Sequence, residues 1–223
     1  LVVGASGIVH GDIIIKGASG HAGYIFGSQN AIHRAIVFLD KLLEFIGVRS
    51  QKISSLNNPP NLPIPKVWGR FSITWIVTSN RTYNVVPGEV RIGFDMRLIP
   101  EEDPDRAISE LRSFFEMTKY RTSIDQAYLE IKRAYAGYST DPNHPFVIHA
   151  KKTLDNIINK PIPIIGMLGG NDGGWFRSYN IPIISYGVWD KYSNIHGPDE
   201  SVDLEKIDIL KEFLINIARE AYT

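Results

Sequence analysis

The chain has 223 residues, and its 24 Lys plus Arg balance 24 Asp plus Glu, so no excess charge recruits nucleic acid or an anionic membrane surface. With 43% hydrophobic residues it can bury a substantial core, and with no cysteine it has no disulfide, no thiolate zinc site and no cysteine nucleophile. No apolar run approaches the ~20 residues of a membrane helix and the first residues lack the cationic flank of a signal peptide, so the chain reads as soluble and is expected in the cytoplasm.

In chain order, "GDIIIKGASGH" (11–21) reads as a strand closed by a glycine-rich turn. From Asn30 the apolar residues Ile32, Ala35, Ile36, Leu39, Leu42, Leu43 and Ile46 recur at helical spacing, and Gly47 is expected to end that helix. The proline-rich stretch at 54–68 reads as a loop, because prolines fix φ and remove donors. Two strands with alternating patterns follow, Phe71, Ile73, Trp75 and Val77 in the first, then Val90, Ile92, Phe94, Met96 and Leu98 in the second. The second carries Arg91, Asp95 and Arg97 on its other face. A helix opens with Asp103 as N-cap and Pro104 at its first position and buries Ala107, Ile108, Leu111, Phe114 and Phe115; the strand "QAYLEIKRAY" follows. Strand, helix, strand, strand, helix, strand is the split βαβ order of ferredoxin-like domains, here spanning about 11–137.

Residues 138–223 alternate differently. A helix at "HPFVIHAKKTLDNIIN", a strand at "IPIIGML", a glycine-rich turn into a short helix at "GGNDGGWFRSYN", a strand at "IPIISYGV" and a helix from Asp203 predict a parallel α/β layer. Two strands leave faces and edges bare, so further elements are expected to complete the layer.

Four motifs stand in order: "GASGHAG" with "NAIHRA", "NVVPGEVRIGFDMR", "GGNDGGWF" and "SNIHGPDESV". Each is weak alone. Together, over nearly the whole chain, they resemble the zinc-dependent amidohydrolase and exopeptidase family of succinyl-diaminopimelate desuccinylase, acetylornithine deacetylase, aminoacylase and glutamate carboxypeptidase. The resemblance implies an α/β metallohydrolase domain with two metal ions, zinc or else cobalt or manganese, and an inserted ferredoxin-like dimerisation lid. It implies a homodimer that hydrolyses the amide bond of N-acyl amino acids or dipeptide-like substrates, with no nucleic-acid or membrane partner. Residues 1–10 would then end the first catalytic-domain segment, 11–137 form the lid and 138–223 the C-terminal segment.

Residue by residue, the resemblance makes His196 a metal ligand; the alternative is a loop histidine beside a helix capped by Asp199 or Glu200. It makes His21 a catalytic donor reaching across the dimer to the developing oxyanion, where the plain reading is a turn histidine between glycines. Asn84 would lie near the substrate or satisfy its own turn. Arg97 would pair with a substrate carboxylate or form a salt bridge with Asp95 or another lid acid. Gly170 and Asn171 would bring backbone amides to the substrate. His33 reads as surface or dimer-contact material, and His10, His144 and His149 belong to no motif.

The family's His-x-Asp motif, bridging aspartate, Glu-Glu pair and further carboxylate ligand are not assignable here and would each lie upstream of Leu1. The chain is therefore expected to be a fragment, inactive by itself, since one histidine cannot hold two divalent ions. The arginine of desuccinylases shortly before Gly7 is replaced by Ala5 and Ser6, which speaks against a succinylated substrate. Two other readings remain: a non-catalytic dimerisation module derived from the family, and a ferredoxin-like sensor fused to a response-regulator-like half. Dimerisation is expected through the helix at 30–46 and an adjacent edge strand, with Ile36 and Phe38 at the interface.

Overall fold

The computed structural model describes residues 1–60, 62–188, 190 and 192–220. Its elements are β1 (Val2–Ala5), β2 (Gly7–Lys16), β3 (Gly20–His21), α1 (Ala31–Leu42), α2 (Phe45–Ser50), β4 (Ile53–Asn57), β5 (Lys66–Trp68), β6 (Arg70–Thr78), β7 (Val85–Val86) and β8 (Glu89–Leu98). They continue through α3 (Pro104–Thr122), β9 (Ala127–Tyr135), β10 (Tyr138–Ser139), α4 (Pro145–Ile158), β11 (Ile165–Met167), a 3-10 segment (Asp172–Tyr179) and α5 (Leu204–Glu220). β6-β8-β2-β9 form one antiparallel sheet. With α1 and α2 between β2 and β6, and α3 between β8 and β9, this is the ferredoxin-like arrangement expected from periodicity. The strand expected to begin at Gly11 starts at Gly7 and reads as a continuation of β1, with Ser6 alone between them.

The first helix differs from its expected form. Asn30 caps α1 by accepting the N–H groups of Ile32 and His33, but the helix stops at Leu42, and Gly47 lies inside α2 rather than ending the run. The core face of α1 is Ala31, Ala35, Phe38 and Leu42, while Ile36 and Val37 are 62% and 51% exposed. The apolar periodicity had merged two stripes, one inward and one outward. Phe38 is fully buried against Phe115 and is therefore not an interface residue; Ile36 is on the outward stripe.

The stretch read as a loop at 54–68 contains the hairpin β4–β5, with Ile53 opposite Trp68 and Asn57 opposite Lys66. Its prolines fall between the strands, where no ladder donor is lost. Asn58 closes the turn, its side-chain amide donating to Ile64 O and Lys66 O. In β6 the register slips between Ile73 and Trp75. This bulge moves Trp75 out of the expected apolar face and lays its indole on Gly93, the position in β8 where a Cβ would collide with the ring.

The second sheet, β10-β1-β11, holds one parallel pair, β1 with β11, and an antiparallel edge from β10, whereas the parallel layer was expected from the strands at 162–168 and 181–188. The strand expected at 181–188 contracts to one bridge, Val2 with Ser185. Leu1, Val3, Leu56, Val67, Val147, Leu154 and Phe213 form its core, so the β4–β5 hairpin belongs to this packing although it lies within the lid's stretch of sequence. Among the described residues no helix is long and apolar enough to cross a membrane.

Arg49, with a fully buried side chain, ties α2 to the start of α3. Its guanidinium donates to Glu102 at 2.6 and 2.7 Å, to Glu110 at 3.0 Å and to the carbonyl of Arg97 at 3.3 Å. Burial opposes its charge, and the two carboxylates more than offset that, raising its pKa.

The two faces of α1 make opposite predictions in urea denaturation. Phe38→Ala should cost about 3–5 kcal/mol through lost burial and a cavity. Ile36→Ala should cost the monomer less than about 0.5 kcal/mol. Equal losses would mean the helix is oriented differently.

Candidate functional site

The carboxyl ends of β1 and β11 meet where the two sheets join. Ser6, 2% exposed, follows β1 and donates its N–H to Met167 O and Gly169 O at 3.1 and 3.0 Å. A cavity of about 810 Å³ opens here, lined among others by Ser6, Ile8, Tyr135, Asn171, Trp175 and Arg177. Tyr135 and Trp175 meet edge to face at 5.1 Å across it. A second cavity of about 780 Å³ lies on the other side of the glycine turn, lined by Leu168, Gly169, Asn171, Ser185 and Tyr186 among others. Clefts beyond the carboxyl ends of parallel strands are where open α/β sheets bind ligands.

Asn171 stands between the cavities and lines both. Its Oδ1 accepts the Gly173 N–H at 3.0 Å, capping the 3-10 segment, and its Nδ2 donates to Ser185 Oγ at 3.1 Å and Tyr138 OH at 3.3 Å. The side chain is thus committed to holding the turn. Gly170 is exposed, and a Cβ there would press on Ile8 and on the carbonyl of Ser6.

His21 and Asn84 come together on a two-stranded ribbon, β3 with β7, where His21 pairs with Val85 and the Ala22 N–H donates to Asn84 O at 2.9 Å. His21 Nδ1 accepts the N–H of Gly23 at 3.1 Å. Because a backbone N–H can only donate, the neutral ring carries its proton on Nε2 and presents that nitrogen as a donor. Both His21 and Asn84 are exposed, as are Tyr24 and Tyr83 beside them.

Arg97 takes the salt-bridge alternative. Its Nε and Nη2 lie 2.7 and 2.8 Å from the two oxygens of Asp95, and His10 Nε2 is 2.8 Å from Asp95 Oδ2. Partial burial opposes the charged Asp95 carboxylate, but hydrogen bonds from Arg97 and His10 outweigh it and hold its carboxyl below the usual range. His10 belongs to no motif. The signal for it is register, since His10 is opposite Asp95 in the β2–β8 ladder.

His196 lies on an exposed loop with φ 62°, in a run where Asn194 and Asp199 are also left-handed at 48° and 57°. Its N–H donates to Glu200 at 3.1 Å. Three non-glycine residues in the left-handed region within six positions mark a tightly constrained turn. No hydrogen bond, ion pair or ring contact joins His196 to His21, Asn84 or Asn171 among the described residues. Among them, too, no group of three or more His, Cys, Asp or Glu could hold a metal ion. A zinc sphere takes three or four protein ligands, so His196 by itself does not make a metal site.

Sequence reasoning missed Arg70, the first residue of β6. Its Nη2 donates to Leu168 O at 2.6 Å and Ser6 Oγ at 3.3 Å, joining the ferredoxin-like sheet to the carboxyl ends of the second one. Its guanidinium lies 5.1 Å from the centre of the Trp68 ring. Burial, and then the neighbouring Arg97, push its pKa down to about 10, leaving it cationic at neutral pH. Nothing in the local sequence "WGRFS" announces this.

The profile of a family described as peptidase dimerisation domain, the M20 dimerisation domain, matches residues 3–122. A succinyl-diaminopimelate desuccinylase of Sulfurovum sp. is 27% identical over 214 residues, covering 94% of this chain and 52% of its own. An uncharacterized metallohydrolase of Methanocaldococcus jannaschii is 23% identical over 225 residues, covering 97% and 53%. The chain therefore spans about half the length of these relatives. The solved structure of a dipeptidase from Saccharomyces cerevisiae shares the fold with a TM-score of 0.75 at 14% identity, over 97% of this chain and 55% of that one.

The Asp95 cluster predicts an acid-sensitive contribution to stability. A carboxyl whose folded pKa is depressed stabilises above its unfolded value of about 3.9 and loses that contribution as pH falls through the folded value. Asp95→Asn should therefore cost about 1–3 kcal/mol at pH 7, and the gap from wild type should shrink below about pH 4. A gap independent of pH would remove the charge from the explanation.

Proposed function

We propose, from the premise that this chain belongs to the M20 peptidase dimerisation-domain family, that it is the lid and C-terminal part of a hydrolase that cleaves the amide bond of N-acyl amino acids or small peptides. The lid comprises residues 11–137, entered through β2, and residues 138–223 with the first strand belong to the catalytic part. The observation that carries this reading is the His21 ribbon. Its Nδ1 is occupied by Gly23, so an exposed Nε2–H is held ready on a short antiparallel support with Asn84 beside it. A donor fixed before the reaction is what a developing oxyanion requires.

The reading includes a homodimer. β6 is an edge strand that exposes Trp75, Ile76 and Val77 at 45%, 56% and 38%, and α1 carries its outward stripe of Ile32, Ile36 and Val37. An unpaired apolar edge beside an apolar helix stripe suits isologous pairing with a second copy. In this reading His196 contributes one ligand to a zinc centre whose remaining ligands lie outside the described residues, and Gly170 and Asn171 offer the backbone of the glycine turn to the substrate.

Three measurements test it. A form with the full length of the relatives should bind metal and hydrolyse N-acetyl amino acids, while the 223-residue chain should do neither. In that longer form His21→Ala should lower kcat by about 10²-fold or more with metal content unchanged. An equal loss of metal would refute the donor role, and a longer form without metal or hydrolysis would leave a dimerisation module. In sedimentation, Ile36→Asp combined with Ile76→Asp should give monomers with native helicity, and an unchanged mass would place the interface elsewhere.

A further inference from the structure

The polar side chains between the two cavities fix one another's protons. Asn171 Oδ1 accepts the Gly173 N–H at 3.0 Å, so the amide nitrogen is the end that faces Tyr138 and Ser185. It donates to Ser185 Oγ at 3.1 Å and to Tyr138 OH at 3.3 Å. The two hydroxyls lie 2.9 Å apart, an arrangement in which either one can donate to the other. Burial decides between them. Tyr138 is 2% exposed and lines neither cavity, and among the described residues Ser185 Oγ is the one acceptor its hydroxyl meets. If Ser185 donated, the Tyr138 proton would be buried without an acceptor, a loss that the opposite arrangement avoids. Tyr138 therefore donates, Ser185 Oγ accepts twice, and the Ser185 proton is the one left over. Ser185 lines the second cavity, and its backbone is held by Val2 through both N–H and C=O at 2.8 and 3.0 Å. Its O–H is directed into that cavity from a fixed support.

The rest of the lining says what such a donor meets. Val2, Pro59, Ile165, Met167 and Leu168 supply apolar wall, and the Tyr186 ring is held edge to face on Phe213 at 5.5 Å. Among the described residues no Lys, Arg or His side chain lines this cavity, and its one carboxylate is Asp172. The Leu1 amine is turned to Pro163 O at 2.9 Å. An anionic ligand would lose its hydration here and meet no counter-charge. The volume of about 780 Å³ is that of a small-molecule site.

We infer that the second cavity is a binding site for an uncharged, apolar ligand carrying a carbonyl oxygen, such as an aliphatic amide, with Ser185 O–H as the donor to that oxygen. Tyr138 and Asn171 are positioning residues, because they occupy both lone pairs of Ser185 Oγ and leave its proton one direction. The binding stands on this cavity alone and requires no hydrolysis. In the proposed hydrolase the cavity takes a neutral apolar part of the substrate, and that extension alone rests on the hydrolase reading.

The test uses the 223-residue chain, with the backbone amides of Gly169, Ser185 and Gly187 followed by NMR at pH 7 during titration with three probes. Hexanamide has the carbonyl, hexanoate replaces it with a charge, and 1-chloropentane keeps the apolar chain without a strong acceptor. Hexanamide should give saturable shifts at these amides. Hexanoate should bind about 10-fold or more weakly, and 1-chloropentane about 3–10-fold more weakly. Ser185→Ala should weaken hexanamide by the same 3–10-fold, roughly to the level of 1-chloropentane, whose own binding should not change. Ser185→Thr, which keeps the hydroxyl, should retain hexanamide binding. Tyr138→Phe should weaken hexanamide with Ser185 still in place and leave 1-chloropentane unaffected. Equal binding of all three probes, tightest binding of hexanoate, or hexanamide affinity unchanged in Ser185→Ala would overturn the inference. The order of the probes in the unaltered chain decides it even where a variant fails to fold. Hexanamide binding in a longer form that hydrolyses nothing would sink the hydrolase and leave the site, and hydrolysis in a protein whose second cavity ignores hexanamide would do the reverse.

Discussion

The structure depends on a double crossing between its two sheets. The chain leaves β1, turns at Ser6 and enters β2; it returns from β9 through Ala136 and Gly137 into β10. The two passages lie back to back. A Cβ on Gly7 would meet the backbone of Tyr135 and Gly137, and one on Gly137 would meet Ala5, Gly7 and Pro100. Only residues without side chains allow backbones this close. Ser6 then secures the crossing, its N–H shared between Met167 and Gly169 and its hydroxyl accepting from Arg70.

Everything chemical in the chain is positioned relative to that crossing. The ferredoxin-like sheet is stiffened by the Phe45, Phe71 and Phe94 rings and by the buried Arg49 with its two glutamates. Its far side carries the ribbon with His21 and Asn84, and its edge strand carries the exposed apolar residues that suit a second copy. The near side carries Arg70, which spans the crossing.

The histidines illustrate how one side chain is put to different uses by local geometry. His21 and His144 both accept a backbone N–H two residues ahead on Nδ1, one in an exposed ribbon and one as the cap of α4. His10 faces Asp95 from the open side of the sheet, and His196 is set by a left-handed backbone. Sequence motifs separate His21 and His196 from the others, but they do not say which nitrogen is occupied or what stands opposite.

The sequence by itself determined the order of elements in the ferredoxin-like unit, the capping residue Asp103, the amphipathic strand around Arg97, and the family resemblance carried by four short motifs. These are local properties, written in period and in side-chain hydrogen bonding within a few residues. Tertiary structure decided the rest. Which of the two apolar stripes of α1 faces inward depends on α3. Trp75 changes faces because a bulge shifts register, and the hairpin at β4–β5 forms because Leu56 and Val67 find a core supplied by residues far away in the chain. Arg97 is tied to Asp95, whereas Arg70 meets Ser6 and Leu168, 64 and 98 residues away along the chain. Contacts of that range are set by how sheets meet, and no local pattern encodes them.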